Sequence, residues 1–196
     1  EPLTLFLNQS KKMIKKHFEF DKILNPKIKQ DIDRYRVVQC GDSRNLPCEK
    51  NKATLIVTSP PYVTSYEYAD LHQLPSLWFG YLSDLPEFRK KFIGSAYKDR
   101  DKIDLKSSLA EKIVTQLGEN KKGREVKNYF ADMLETFFEM KRVLKKGGRT
   151  CVVIGNTEFN GIKILNAEVF KEQFENIGFR THDIIHREIP SKMLPS

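Results

Sequence analysis

Apolar residues recur along this chain with two different periods, and the switches between them divide it into elements. Leu3, Phe6, Leu7, Met13, Ile14 and Phe18 fall near helical spacing with lysines opposite, which predicts a helix over residues 3–20. Residues 21–35 are polar, are interrupted by Asn25-Pro26, and read as a connector. Arg36-Val37-Val38-Gln39-Cys40 predicts a short strand ended by Gly41-Asp42. The clearest strand is Ala53 to Thr58, a continuous β-branched and apolar run stopped by Ser59-Pro60-Pro61. Such a run suits a strand buried on both faces, as in a parallel sheet.

Beyond it, residues 63–124 hold an aromatic stretch (Tyr66, Tyr68, Trp78, Phe79, Tyr81) and then polar sequence, for which several short helices are expected. Trp78 and Phe79 are expected in the core. The most periodic segment is Val126 to Leu144, with apolar residues at 126, 129, 130, 133, 134, 137 and 138 on one helical face. Gly147-Gly148 reads as its stop. Thr150 to Gly155 predicts a second buried strand, followed by a polar loop bracketed by Gly155 and Gly161. Residues 164–177 predict an amphipathic helix closed by Gly178, and Phe179 to Ile189 alternates as a final strand. Strands interleaved with helices imply an α/β fold with a largely parallel sheet.

Composition fits one soluble globular domain: 196 residues, 39% hydrophobic and 31% charged. No stretch is apolar enough for a membrane span and no signal peptide is visible. Cys40, Cys48 and Cys151 form no CxxC, which suggests a reduced, cytoplasmic protein whose thiols are buried small residues, with no structural zinc. His182 and His186 would share a face of the final strand and lack a third ligand. The net charge of +8 points toward a polyanionic partner. Residues 1–36 carry nine Lys/Arg against five acids, including Lys11-Lys12 and Lys15-Lys16. Lys141, Arg142, Lys145, Lys146 and Arg149 form a second basic patch, either a solvated face or a phosphate contact.

Ligands in an open α/β sheet bind beyond the carboxyl ends of the strands, and Ser59-Pro60-Pro61-Tyr62 stands at such an end. Two prolines fix φ twice and remove two backbone donors, so the turn is rigid and rich in acceptors. A serine hydroxyl and a neighbouring carbonyl can together accept from one –NH2 group and aim its lone pair outward. Tyr62 offers a flat face for a planar ring.

Thr58-Ser59-Pro60-Pro61-Tyr62 resembles the (D/N/S)-P-P-(Y/F) motif of the amino-methyltransferases, and in its T-S-P-P-Y form the DNA cytosine-N4 and adenine-N6 enzymes. Gly41-Asp42-Ser43-Arg44 with Leu46-Pro47 upstream, Lys145-Lys146-Gly147-Gly148 before a strand, and Tyr66 and Tyr68 through Leu77-Trp78-Phe79-Gly80 are similar to other segments of that family. The likeness runs from about residue 36 to the end of the chain.

It implies that a flipped DNA base stacks on Tyr62, that Ser59, Pro60 and Pro61 hold its exocyclic amine, and that Asp42 and Thr58 contact the cofactor, S-adenosylmethionine. Nucleic-acid contacts are expected at Tyr62, Tyr66, Lys145 and Lys146. Ser59 in place of Asp leans toward cytosine N4 over adenine N6. The implied fold is a Rossmann-like methyltransferase sheet, and it is expected to be incomplete. None of the ten glycines forms the strand, Gly-rich turn and helix that the cofactor needs. The run 53–58 is therefore expected to have an open side.

Two explanations arise: a fragment of a longer chain, which is favoured, or a second polypeptide that supplies the cofactor half. Residues 1–196 are taken as one partial methyltransferase domain, with 63–124 an inserted helical region for target recognition. Two alternatives stand beside this: an RNA or protein amino-methyltransferase, and a non-catalytic nucleic-acid-binding or specificity module.

Overall fold

The computed structural model describes residues 2–63, 68–98, 100 and 103–187. The chain divides into two compact units, Glu1–Cys40 and Gly41–Ser196.

In the first unit the expected amino-terminal helix is α1, Pro2–Ile23, and none of its residues is buried. The polar connector contains two short helices, α2 (Pro26–Gln30) and α3 (Ile32–Tyr35). Asn25 starts α2 by accepting the Lys27 N–H at 2.9 Å, and Pro26 occupies the position where a missing donor costs nothing. The strand expected at 36–40 does not form. Val37 and Val38 are exposed, and without a neighbouring strand their backbone has no ladder to join.

The second unit runs β1 (Ala53–Thr58), α4 (Tyr68–Leu71), α5 (Gln73–Trp78), α6 (Leu85–Lys90), α7 (Ser108–Leu117), α8 (Lys121–Val143), β2 (Leu144–Val152), β3 (Thr157–Phe159), β4 (Ile162–Ile164) and α9 (Asn166–Asn176). Its core gathers around α8, whose periodic face buries Val126, Tyr129, Phe130, Met133, Phe137 and Met140. Phe137 stacks on Phe174 with centroids 3.9 Å apart and meets Phe170 edge-on at 4.9 Å. Gln173 of α9 is fully buried, and its amide donates to the carbonyls of Leu105 and Phe130 at 2.9 and 3.0 Å.

β1 pairs in parallel with β2, from Leu55 opposite Arg149 to Thr58 opposite Val152. Among the described residues no other strand pairs with β1, so this sheet is parallel, as expected, and two-stranded. Ile56 packs on the core, whereas Leu55 and Val57 are 59% and 67% exposed. The strand is thus covered on one face only, contrary to the reading of a run buried on both.

Gly147-Gly148 does not end α8. The helix stops at Val143 and Leu144 is already extended. The glycines lie in β2, where residues 145–148 bulge opposite Thr54 alone. Gly147 has φ +79°, and a Cβ on Gly148 would stand 2.9 Å from the Lys145 carbonyl oxygen and 3.3 Å from that of Thr54. Only glycine fits both positions without strain.

After β2 the polar loop contains a hairpin. β3 and β4 pair antiparallel around Asn160-Gly161, both at positive φ, as a tight two-residue turn requires. Among the described residues the final strand does not form: residues 179–187 have no regular structure, His182 and His186 share no strand face there, and residues 188 and 189 lie outside the described ones. Trp78 and Phe79 are not core residues. They end the short helix α5 at 81% and 65% exposure. The three cysteines are exposed rather than buried, Cys48 in a loop and Cys151 on the outward side of β2. Among the described residues no helix is long and apolar enough to cross a membrane, and no group of His, Cys, Asp and Glu could hold a metal ion.

Candidate functional site: the turn after β1

The segment from Ser43 to Lys52 runs alongside α8 and fixes where β1 begins. Ser43 Oγ lies 3.3 Å from Thr136 Oγ1, and the Leu46 N–H donates to Glu139 at 2.8 Å. Arg142 donates to the carbonyls of Leu46 and Cys48, and the N–H groups of Asn51 and Lys52 donate to the last carbonyls of α8, those of Arg142 and Val143. These contacts satisfy orphan acceptors at the helix end. β1 therefore starts at the carboxyl end of α8 and returns toward its first half.

The turn that ends β1 meets α8 at Tyr129. The buried Tyr129 hydroxyl donates to the Pro61 carbonyl at 2.8 Å. Pro60 and Val63 are buried, whereas Ser59 and Tyr62 are exposed. The two residues with usable side-chain chemistry therefore face outward from an anchored backbone. Thr58 is half-buried, and its carbonyl accepts the Val153 N–H at 2.9 Å, which continues the ladder one step past β2. The Tyr62 ring lies beside Gly155, where an added Cβ would come within 3.4 Å of Cε1. Asn166, fully buried, donates to the Gly155 carbonyl at 2.9 Å and so holds that support in place.

Asp42 reaches the same level of α8 through Arg44. The guanidinium of Arg44 binds the Asp42 carboxylate, with Nη2 2.7 Å from Oδ2 and Nε 2.9 Å from Oδ1, and Nη1 lies 3.2 Å from Oδ1 of the buried Asp132. Asp132 also accepts from the Gly94 N–H, Lys98 Nζ and Arg100 Nη2 at 2.8, 2.8 and 2.6 Å. Tyr129 and Asp132 are three residues apart on α8, so the turn and the Asp42 loop are held within about one helical turn of each other. The hydrogen bonds from Arg44 hold the Asp42 carboxyl below its ordinary range and Asp42 raises the Arg44 guanidinium, while burial pushes the Lys98 ammonium down.

The structure therefore brings Thr58, Ser59, Pro60, Pro61, Tyr62 and the Asp42 loop to neighbouring turns near the middle of α8, at Tyr129 and Asp132. It does not bring Lys145 and Lys146 there. They are exposed at the amino end of β2, opposite the start of β1 and roughly 17 Å of strand away from the turn. The basic patch around them is also divided: Lys141 donates to the Ile177 carbonyl and Arg142 is paired with Glu139. Tyr66 lies outside the described residues.

Sequence reasoning missed Tyr129, Asp132 and Asn166. The available signal was polarity inside a buried pattern: a hydroxyl-bearing ring at 129 and an acid at 132, on a face otherwise read as core.

S-adenosylmethionine needs a glycine-rich turn between a strand and a helix, together with free acceptors. Among the described residues Gly155 supports Tyr62 and Gly161 turns a hairpin, while both oxygens of Asp42 are engaged by Arg44. These residues do not fit a complete site for that cofactor.

No solved structure matches the chain. Two curated relatives named Type II methyltransferase M.AvaI, from Nostoc sp. (strain PCC 7120 / SAG 25.82 / UTEX 2576) and from Anabaena variabilis, are each 26% identical to it over 151 residues. The similarity covers 66% of this chain and 31% of each relative, so the chain spans about a third of their length. The DNA methylase family of N6/N4 methyltransferases matches residues 53–196, from the first residue of β1 onward. On that match, the chain belongs to the DNA methylase family of amino-methyltransferases.

Proposed function

We propose that this chain supplies the target-holding half of a DNA amino-methyltransferase. The supporting observation is the turn itself: Ser59 and Tyr62 face outward from a backbone anchored by the Tyr129–Pro61 hydrogen bond and by buried Pro60 and Val63. A flipped base stacks on Tyr62, and its exocyclic amine donates to the Ser59 hydroxyl and an adjacent carbonyl. The amine's lone pair then points away from the chain. Positioning and exclusion of water are the contributions of these residues. Cytosine N4 is favoured over adenine N6 because Ser59 in place of Asp resembles the first position of the cytosine-N4 form of the motif. The methyl donor is S-adenosylmethionine, held by residues other than the described ones, either in a longer chain or in a second polypeptide. Asp42 and Thr58 are the contacts that this chain would contribute to the cofactor.

Residues 63–124 are the proposed target-recognition region. Their Gly94, Lys98 and Arg100 converge on Asp132 and so connect the region to α8. Tyr66 belongs to the same proposal as a base contact. Phosphate contact by Lys145 and Lys146 would occur away from the flipped base.

The test is methyl transfer from labelled S-adenosylmethionine to duplex DNA, RNA and protein by the gene product together with its cofactor-binding half. Label is expected in DNA as N4-methylcytosine, with no robust activity from the isolated chain. Ser59→Ala and Tyr62→Ala should abolish it. Label in RNA or protein would assign a different substrate. Salt-dependent DNA binding that survives both substitutions, without any transfer, would leave a non-catalytic binding module.

A further inference from the structure

We infer that Tyr129 is a positioning residue for the amine-holding turn, an inference that rests on the reading of the turn proposed above. The turn has very few soft torsions. The proline rings fix φ at Pro60 and Pro61. Ser59 and Pro60 each precede a proline, which confines their ψ to the extended region. Within Pro60-Pro61 the one backbone torsion left unrestricted by covalent structure is ψ of Pro61, which sets the plane of the Pro61–Tyr62 peptide.

The Tyr129 hydroxyl, 2.8 Å from the Pro61 carbonyl, fixes that plane and with it the point from which the Tyr62 ring departs. Tyr129 can do this because it cannot move. It is buried, stacks on Phe170 at 6.1 Å and contacts Phe130 at 5.6 Å. Gly94 closes over it so tightly that a Cβ there would stand 3.0 Å from the Tyr129 Cβ.

The same bond decides which acceptors remain for a ligand. The Thr58 carbonyl is taken by Val153 and the Pro61 carbonyl by Tyr129. The Ser59 hydroxyl and the Ser59 and Pro60 carbonyls take no hydrogen bond from the described residues. Tyr129 thereby selects the acceptors that an exocyclic amine meets.

Tyr129→Phe removes one oxygen and keeps the ring. Pro61–Tyr62 is the one Pro–Tyr junction in the 196 residues. Labelling the chain with carbonyl-13C proline and 15N tyrosine therefore gives a single amide–carbonyl NMR cross-peak. Its carbonyl shift should move upfield in Tyr129→Phe. In the active enzyme, kcat should fall about tenfold with KM for DNA unchanged, as expected for misaligned groups. An unmoved cross-peak overturns the inference. So does a moved cross-peak with native kcat, because the bond would then be merely structural.

Ser59→Ala at the native rate would instead overturn the reading of the turn and the positioning role with it, leaving only the hydrogen bond. Should Tyr129→Phe not fold, the native chain decides. With [13Cζ]tyrosine in an H2O–D2O mixture, a slowly exchanging hydroxyl gives a split signal, and a Tyr129 signal without splitting overturns the inference.

Discussion

Arg44 bridges two carboxylates of different character, the half-exposed Asp42 at 2.7 Å and the fully buried Asp132 at 3.2 Å. The second of these also collects Lys98 and Arg100, so one buried acid on α8 ties down the loop before β1 and a loop of the intervening region.

Asp132→Asn should therefore destabilise the second unit substantially. The amide keeps the shape and loses the charge that three cations share, and removing one partner from a buried ionic group costs about 3 kcal/mol. The Arg100–Glu135 pair, with Glu135 48% exposed, offers a control. Glu135→Gln should cost less than about 1 kcal/mol. Urea unfolding of both variants checks the difference, and equal losses would show that the cluster around Asp132 does not hold these loops.

Asp42 gives the same region a pH dependence. Its folded-state carboxyl lies below its ordinary value, chiefly because Arg44 donates to it. The folded state then binds fewer protons than the unfolded one. Its stabilisation is present above an unfolded pKa of about 3.9 and is lost as pH falls through the lower folded value. Thermal unfolding between about pH 2 and 5 should show a shallower acid limb in Asp42→Asn than in the native chain. The difference should be small, because Asp42 is 49% exposed and solvent screens the pair.

Gly148→Ala tests the bulge that sets the register of β1 on β2. The new methyl would meet Leu144 Cδ2 and the Lys145 carbonyl oxygen, both at 2.9 Å. A loss of about 1–3 kcal/mol is expected from unfolding curves, as for other overpacked sites. A neutral substitution would mean that the bulge relaxes without disturbing the pair.

Gly155 separates support of Tyr62 from stability of the fold. Gly155→Ala places Cβ at an ordinary contact distance, 3.4 Å from Tyr62 Cε1, and should be near native. Gly155→Val should push the ring away and reduce methyl transfer at least about tenfold, with little change in unfolding temperature. Equal activity of the two variants would count against stacking on Tyr62.

Some of this was legible along the chain because it depends on local order. The period of Val126 to Leu144 marks α8 within a few residues, and the run 53–58 marks β1. The Pro-Pro turn is recognisable because proline acts on its own backbone and its immediate neighbour, which needs no tertiary partner. Residues 36–40 and 179–187 show the limit. Their alternation suits strands, yet a strand forms only where another supplies hydrogen bonds, and neither segment has one among the described residues. Gly147-Gly148 misled for a related reason: a glycine pair after a helix signals a stop, but here it serves a bulge that exists only because β2 pairs with β1, which is remote in sequence.

By itself the sequence determined the rigid Ser-Pro-Pro-Tyr turn and the family to which the chain is similar, because each is written in adjacent residues. Only the tertiary structure decided what stands behind the turn. Tyr129 reaches Pro61 across 68 positions, and Arg44 reaches Asp132 across 88. Spacing along one chain says nothing about such pairs, which exist because β1 folds back along α8 and buries their polar groups together. It likewise separated Lys145 and Lys146 from the motif, since a parallel pair puts the start of one strand beside the start of the other.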